Sequence, residues 1–237
     1  MGVTGDWSPP SLSVAVMAHP KREAMVADLV DRLDRPTVVA WDRCGDRYDT
    51  GGRALDAADR SCTHHLVVQD DVVPCRDLVA GAERALRWTP QDVPVSLYVG
   101  RVRPFRQRVE RAVARADGAS WITMAGIYWG PAVIVPTAVI DDVLEWWPTA
   151  EVANYDRRLS RWFEERRLAC WYTWPSLVEH RGDESLVTGH TAGRRAHRFA
   201  GDGVSALELD WSGRVVDVPG ADRLDHGRQQ LAAARRR

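Results

Sequence analysis

The stretch Leu66-Val-Val-Gln-Asp-Asp-Val-Val-Pro74 decides the fold class. It contains most of a predicted buried strand, which is followed directly by two adjacent carboxylates. The apolar run begins at His65 and stops at the pair Asp70-Asp71, which predicts a strand over residues 65–69. A helix is predicted next, over residues 77–88, with Asp77 as its N-cap. The order of strand, turn and helix is that of an α/β protein.

The same alternation runs through the residues around this stretch. Further strands are predicted over residues 13–18, 37–41 and 95–99, a helix over 22–33, and the start of another helix at 52–58 after a polar loop over 45–52. Because strands that alternate with helices form βαβ units, we predict a Rossmann-like, mostly parallel central sheet flanked by helices. The predicted fold class is therefore α/β.

The second half of the chain has Gly and Pro between short apolar segments. This pattern predicts strand-like segments over residues 121–135, helices over 137–147 and 156–167, a strand over 169–173 and a loop over 174–193. We expect residues 1–193 to form the main domain and residues 194–237 to form a basic C-terminal extension. In that extension, a hairpin is predicted from residues 205–209 and 213–218, and a helical or frayed tail after Asp222.

The composition argues against several classes of protein. The chain has 33 acidic and 32 basic side chains, so its overall charge predicts no nucleic-acid or membrane partner, although residues 101–115 and 194–198 are locally basic. Its four cysteines form no CxxC pair, which argues against a zinc ribbon and favours reduced thiols in the cytoplasm. Gly, Pro and Asp interrupt the longest apolar stretch, residues 122–144, so no membrane span is expected.

Polar side chains follow three of the predicted strands: His19, Asp42 and the pair Asp70-Asp71. The carboxyl ends of parallel strands share one edge of a sheet, so we expect these side chains to meet in one crevice. Adjacent carboxylates at such an edge can bind Mn²⁺ or Mg²⁺, with the phosphates of a nucleotide as further ligands. The structural alternative is that Asp70 caps a turn and Asp71 faces solvent.

Taken in order along the chain, these segments resemble glycosyltransferases of the GT-A fold, of the family 2 or family 25 type found in bacteria and phages. The resemblance covers residues 13–185 and lies in the order of the motifs, since the acidic motif Gln69-Asp70-Asp71 departs from a strict DxD. It implies that residues 1–193 form a GT-A-type catalytic domain that binds a nucleotide-diphosphate-sugar donor and a divalent cation, Mn²⁺ or Mg²⁺. The implied reaction transfers the sugar to an acceptor hydroxyl with inversion.

The resemblance also implies a role for each matching residue. Asp71 is the direct metal ligand, and His180 in a late loop completes the metal site. Asp156, at the start of a helix, is the general base that takes the proton of the acceptor hydroxyl. The residues implied in donor binding are Ala18, His19, Pro20, Arg22, Asp42, Asp70 and Arg181, with the arginines of residues 194–198 as further candidates for the phosphates.

Other interpretations stay open. Asp156 is equally typical of an ordinary first-turn acid of a helix, and His180 of an ordinary loop histidine. The alternative functions are a nucleotidyltransferase-like enzyme and a non-catalytic module that binds DNA or another polymer through its arginines. The acceptor is open among a carbohydrate, a small molecule and modified DNA, with Trp129 and Trp174 as candidates for lining its pocket. We expect a cytoplasmic protein of a bacterial or phage-infected cell.

Overall fold

The computed structural model describes residues 9–101, 106–152, 154–181 and 194–218. The strands are β1 (Leu12–Ala18), β2 (Thr37–Trp41), β3 (His64–Gln69), β4 (Val72–Pro74), β5 (Val95–Ser96), β6 (Ala119–Met124), β7 (Ala132–Pro136), β8 (Cys170–Thr173), β9 (Val178–His180) and β10 (Arg214–Asp217). The helices are α1 (Glu23–Leu33), α2 (Arg47–Asp56), α3 (Leu78–Ala85), α4 (Arg106–Val113), α5 (Ile140–Trp146) and α6 (Tyr155–Glu165). The predicted tail after Asp222 and residues 182–193 of the predicted loop lie outside the described residues.

Eight of the strands form one sheet in the order β10-β6-β8-β5-β7-β3-β1-β2, and β4 pairs with β9 in a second, two-stranded sheet. Four of the seven pairings in the large sheet are parallel, and the antiparallel ones involve β7 and the β6–β8 pair. The predicted α/β fold with a mostly parallel central sheet flanked by helices is confirmed. Since β2 and β3 flank β1 in parallel, the carboxyl ends of all three lie at one edge.

Helices cover both faces of the sheet. Along β1, Ala15 and Met17 pack with α2, α4, α5 and α6 in one apolar core, whereas Val14 and Val16 pack with α1 and α3 in the other. Successive side chains of a strand point to opposite faces, so an uninterrupted apolar run is buried on both. The continuous hydrophobic character of the first strand follows from this double burial.

The start of α2 differs from the prediction. The helix begins at Arg47, where we predicted a polar loop as far as residue 52. Asp46 is its N-cap, and its carboxylate accepts a hydrogen bond of 2.8 Å from the backbone N–H of Tyr48. The cap satisfies an amide of the first turn, which allows a polar segment to start a helix.

Two predictions around α3 and β5 are also wrong in detail. Asp77 precedes α3 in the left-handed conformation, at φ 55°, and caps no helix amide. Its carboxylate accepts instead from the hydroxyl of Ser205. The strand predicted over residues 95–99 pairs only at Val95–Ser96, because the carbonyl of Leu97 turns toward the segment before β9 and accepts from the N–H of Leu177.

The predicted C-terminal hairpin is replaced by a different arrangement. Ala206–Glu208 forms a 3-10 turn that Ser205 caps, and β10 pairs in parallel with β6 at the edge of the large sheet. Trp211 and Val216 are buried in the two cores. Residues 194–218 of the predicted extension therefore complete the central sheet. In the described part of the chain, no helix is both long and apolar enough to cross a membrane.

Candidate active site

The carboxyl ends of β1, β2 and β3 bring three sequence-predicted positions together. The N–H of Asp42, after β2, donates to the carbonyl of Ala18 at the end of β1 over 2.6 Å. The N–H of His19 donates to Oδ2 of Asp70 over 2.7 Å. The ends of β1, β2 and β3 therefore meet at this edge, as the strand order predicts.

Asp70 has a hydrogen bond on each carboxylate oxygen. Besides the bond from His19, its Oδ1 accepts from Nη1 of Arg22 over 2.7 Å, and the residue is only 5% exposed. Burial raises the pKa of the Asp70 carboxyl, and the hydrogen bonds from His19 and Arg22 oppose that shift. With both oxygens engaged, Asp70 fixes the ends of β1 and β3 relative to each other.

Asp71 meets His180 across the small sheet. In the β4–β9 pair Val72 lies opposite His180, and the N–H of Arg181 donates to the carbonyl of Asp71 over 2.7 Å. This register brings Nε2 of His180 to 3.3 Å from Oδ2 of Asp71. Asp71 and His180 come from opposite halves of the sequence, and their side chains are thus in contact beside the carboxyl ends of the strands.

Each residue of this pair has one buried polar atom that makes no hydrogen bond to the described residues. Nδ1 of His180 lies 2.9 Å from the carbonyl oxygen of Arg181, and since a carbonyl only accepts, Nδ1 carries the proton. Nε2, on the other side of the ring, faces Oδ2 of Asp71. Both Nε2 of His180 and Oδ1 of Asp71 are buried and make no hydrogen bond with any residue that the structure describes. Because buried polar atoms are usually paired, these two adjacent atoms are candidates for binding a ligand.

Arg22 lies between the two carboxylates of the site. Its Nη1 also lies 2.9 Å from Oδ2 of Asp71, so one guanidinium group pairs with both Asp70 and Asp71. A ring whose Nδ1–H is fixed by a carbonyl presents Nε2 as a metal-ligating nitrogen. Within the described ranges, no group of three or more His, Cys, Asp or Glu side chains surrounds this point. Two protein ligands completed by phosphate and water oxygens are typical of a magnesium-type site.

Asp156 lies in the first turn of α6, beside the turn that precedes β7. It is half-buried, and its Oδ1 accepts from the N–H of Arg157 over 2.8 Å. A Cβ added to Gly130 would lie 2.7 Å from the Cβ of Asp156, so only glycine allows this approach. The next carbonyl, of Pro131, accepts from the N–H of Gln69 over 2.8 Å. A two-residue segment therefore connects Asp156 with the strand that ends at the acidic pair.

Three further predicted residues have local partners. The guanidinium group of Arg181 pairs with Asp28 of α1. Oδ1 of Asp42 accepts from the N–H groups of Cys44 and Gly45 in a tight turn, over 3.1 and 2.8 Å. Pro20 is exposed at the start of a 3-10 turn that the ring of His19 caps.

The residues that hold Asp71, His180 and Asp156 in place were missed in the sequence. Glu179 accepts on one oxygen from the N–H groups of His180 and Ala196, over 2.8 and 2.9 Å, and so joins β9 to the segment that starts at residue 194. The buried hydroxyl of Tyr155 donates to the carbonyl of Gly130. The loop predicted over residues 174–193 is wrong at Val178–His180, which form β9, and the alternation of apolar and polar residues around Glu179 was the signal that was overlooked. Nothing local in the sequence distinguishes Tyr155 from a core aromatic residue.

Comparison with known proteins adds no assignment. A scan against protein-family models found no family that matches the chain. A search of curated proteins likewise found no match. The functional argument therefore depends on the geometry of the site.

Proposed function

We propose that this protein is a glycosyltransferase of the GT-A type that transfers a sugar from a nucleotide-diphosphate-sugar donor to an acceptor hydroxyl with the help of a divalent cation. One observation carries the proposal. Asp71 and His180 meet at the carboxyl edge of the sheet, and one buried oxygen and one buried nitrogen make no hydrogen bond to any described residue. Carboxylate and imidazole are ligands that Mn²⁺ accepts, and this edge is where α/β sheets bind nucleotides.

Asp71 Oδ1 and His180 Nε2 are the atoms that would hold the cation. When bound, a divalent cation neutralises the negative charge that develops on the leaving pyrophosphate. The guanidinium group of Arg22 contributes a fixed positive charge beside both acids. Asp70 is held by His19 and Arg22 and so orients the ends of β1 and β3 around the donor.

Asp156 is proposed as the general base. The acceptor oxygen forms a bond to the anomeric carbon, while the bond from that carbon to the phosphate oxygen breaks and its electron pair leaves with the nucleoside diphosphate. The proton of the acceptor hydroxyl goes to the carboxylate of Asp156. Asp156 lies in the first turn of α6, where the helix amides place partial positive charge beside its carboxylate. Attack on the face opposite the leaving group inverts the configuration at the anomeric carbon.

A donor screen tests the proposal. UDP-, GDP- and dTDP-sugars are added with and without Mn²⁺, and thermal stability and donor hydrolysis are measured. We expect at least one donor to raise the melting temperature only when the metal is present. The result that would overturn the proposal is the absence of any metal-dependent stabilisation, or turnover of nucleoside triphosphates in place of sugar nucleotides, as in a nucleotidyltransferase.

A matched pair of variants separates binding from chemistry. In His180→Gln, metal-dependent stabilisation by the donor should be lost. In Asp156→Asn, the stabilisation should remain, while sugar transfer falls about 10²- to 10⁴-fold, the usual contribution of a general base. Equal loss of stabilisation in both variants would contradict the division of roles.

A further inference from the structure

Two basic segments that are distant in the sequence lie side by side. The N–H of Arg101 donates to the carbonyl of Arg195 over 3.0 Å, and its side chain donates to the carbonyls of Ala196 and His197 over 2.8 and 3.2 Å. Arg101 is thereby fixed against the segment that carries Arg194, Arg195 and Arg198. These four arginines are called the arginine surface below.

Within the described residues, no acidic side chain pairs with the arginine surface. Arg101, Arg195 and Arg198 are exposed and Arg194 is half-buried. None of the four forms an ion pair with an acidic side chain among residues 9–101, 106–152, 154–181 and 194–218. The chain as a whole has a net charge of −1, so this concentration of positive charge is a local property. Arg195 and Arg198 are exposed and can bind phosphate groups, which arginine holds through two parallel hydrogen bonds. Arg101 adds positive charge, since its Nε and Nη2 already donate to carbonyls.

The arginine surface borders the candidate active site. Glu179, which precedes His180, accepts from the N–H of Ala196 over 2.9 Å. The segment that carries Arg194, Arg195 and Arg198 is therefore joined to β9, the strand that ends at His180.

An aromatic side chain lies between the arginines and Asp156. Gly100, next to Arg101, packs so closely on the indole of Trp129 that an added Cβ would lie 2.7 Å from its Nε1. Trp129 is half-buried and is followed by Gly130, against which Asp156 packs. Arginines beside a partly exposed tryptophan are typical of surfaces that bind an unpaired strand by its phosphates and stack one of its bases.

We propose that the arginine surface binds the phosphodiester backbone of a single-stranded nucleic acid and leads one of its nucleotides past Trp129 toward Asp156. The nucleic acid is then the acceptor, and a hydroxyl of that nucleotide loses its proton to Asp156 in the transfer described above. This acceptor role depends on the proposed function, whereas the binding itself does not. The proposal thus narrows the acceptor to one chemical class.

Fluorescence anisotropy with a labelled oligonucleotide of about 20 nucleotides tests the binding without donor or metal. Contacts to three or four phosphates predict that log K falls with log salt with a slope of about −2 to −3, at about 0.7 per phosphate on a single strand. In the double variant Arg195→Gln/Arg198→Gln, the slope should shrink by about 1.4 and the affinity should fall about tenfold or more. The control Arg87→Gln/Arg167→Gln removes two exposed arginines elsewhere and should bind like the wild type.

Three results would overturn the proposal: no binding of the oligonucleotide, binding that the double variant leaves unchanged, or equally good competition by polyglutamate of the same charge. Because the assay contains no sugar nucleotide and the donor screen contains no acceptor, the binding can fail while the proposed function stands. If the proposed function fails instead, the acceptor role fails with it, while the binding can still stand.

Discussion

Two buried histidines lie at opposite ends of β3. At the amino end, His65 is fully buried and both its ring nitrogens have hydrogen-bond partners. Beyond the carboxyl end, His180 is buried almost as deeply, but its Nε2 has no hydrogen-bond partner among the described residues. His65 lies 2.8 Å from the hydroxyl of Ser13 and 2.8 Å from the carbonyl of Ala54. It ties β1, β3 and α2 together. His180 instead directs its free nitrogen at a carboxylate.

The difference distinguishes the structural histidine His65 from His180, the proposed ligand of the metal. A buried polar group whose partners are all present stabilises the fold, while buried donors and acceptors left without partners destabilise it until a ligand arrives. The neighbouring His64 also leaves Nε2 unpaired, but within the described ranges no carboxylate lies at ion-pair distance from it. Of the two ends of β3, and among the described residues, only the carboxyl end combines an unpaired nitrogen, Nε2 of His180, with an unpaired carboxylate oxygen, Oδ1 of Asp71.

The largest expected effect is at Asp71. Asp71→Asn keeps the shape of the side chain and removes the charge that would hold the cation, so metal-dependent donor hydrolysis should fall about 10²- to 10³-fold, as when a charge-stabilising group is lost. The melting temperature without ligand should change little. Steady-state kinetics with and without Mn²⁺ measure the loss, and Asp92→Asn, at an exposed acid, serves as the control. Wild-type activity in Asp71→Asn would remove Asp71 from the metal site.

The opposite pattern is expected at the other end of the strand. His65→Leu leaves Ser13 and the carbonyl of Ala54 without their buried partner, which should lower the free energy of unfolding by about 2–3 kcal/mol. Urea unfolding gives this value. The folded variant should still be stabilised by the donor in a metal-dependent way. Loss of that stabilisation would show that the structural role of one end of β3 and ligand binding at the other end are not independent.

The loss of stability at acid pH should come from the two histidines at the amino end of β3. Burial lowers the pKa of both His64 and His65 to about 4 in the folded protein. As the pH falls below the unfolded value of about 6.5, the unfolded chain binds protons that the folded chain cannot, so stability falls by up to about 1.4 kcal/mol per pH unit for each histidine. The raised pKa of Asp70 acts in the opposite direction at lower pH, so the window from about pH 7 to about pH 5 is the informative one.

Urea unfolding at several pH values in this window measures the slope. His65→Leu should retain about half of it, because one of the two histidines is gone. Stability that is independent of pH over the window would contradict the neutral, buried state of these rings.

The smallest expected effect is at Gly130. In Gly130→Ala the new Cβ would lie 2.7 Å from the Cβ of Asp156 and 2.9 Å from a ring carbon of Tyr155, so the start of α6 must shift by a few tenths of an ångström. We expect kcat to fall about tenfold with little change in donor KM, since a displaced base slows the chemistry more than binding. Gly203→Ala meets nothing within 4 Å and is the matched control. Equal kinetics in the two variants would argue against Asp156 as the base.

The first three strands were predictable from the sequence because their signal is local. Predicted strands at 13–18, 37–41 and 65–69 match β1, β2 and β3 to within one residue at each end. Each is an apolar run closed by a polar residue, which is the pattern of a strand buried on both faces. Convergence of His19, Asp42 and Asp70 at one edge followed from the parallel order alone.

The rest of the site depends on contacts between distant segments. Nothing near His180 indicates that Val72 is the residue opposite it, because that register is set by β4, only three residues long. The arginine-rich α4 was missed because charged residues dominate it and only its few apolar positions, such as Val109 and Ala112, reach the core. Asp71 and His180 were paired through the resemblance to GT-A glycosyltransferases, and the orphaned atoms that support a ligand there are visible only in three dimensions.

The most direct test of the central claim is pulsed electron paramagnetic resonance of Mn²⁺ bound to the protein together with the nucleoside diphosphate of the best donor. If His180 ligates the metal through Nε2, the echo modulation will contain a nitrogen coupling in the wild type that disappears in His180→Gln. Bound Mn²⁺ without a nitrogen coupling in the wild type, or a coupling that persists in His180→Gln, would contradict the assignment of Asp71 and His180 as the metal site.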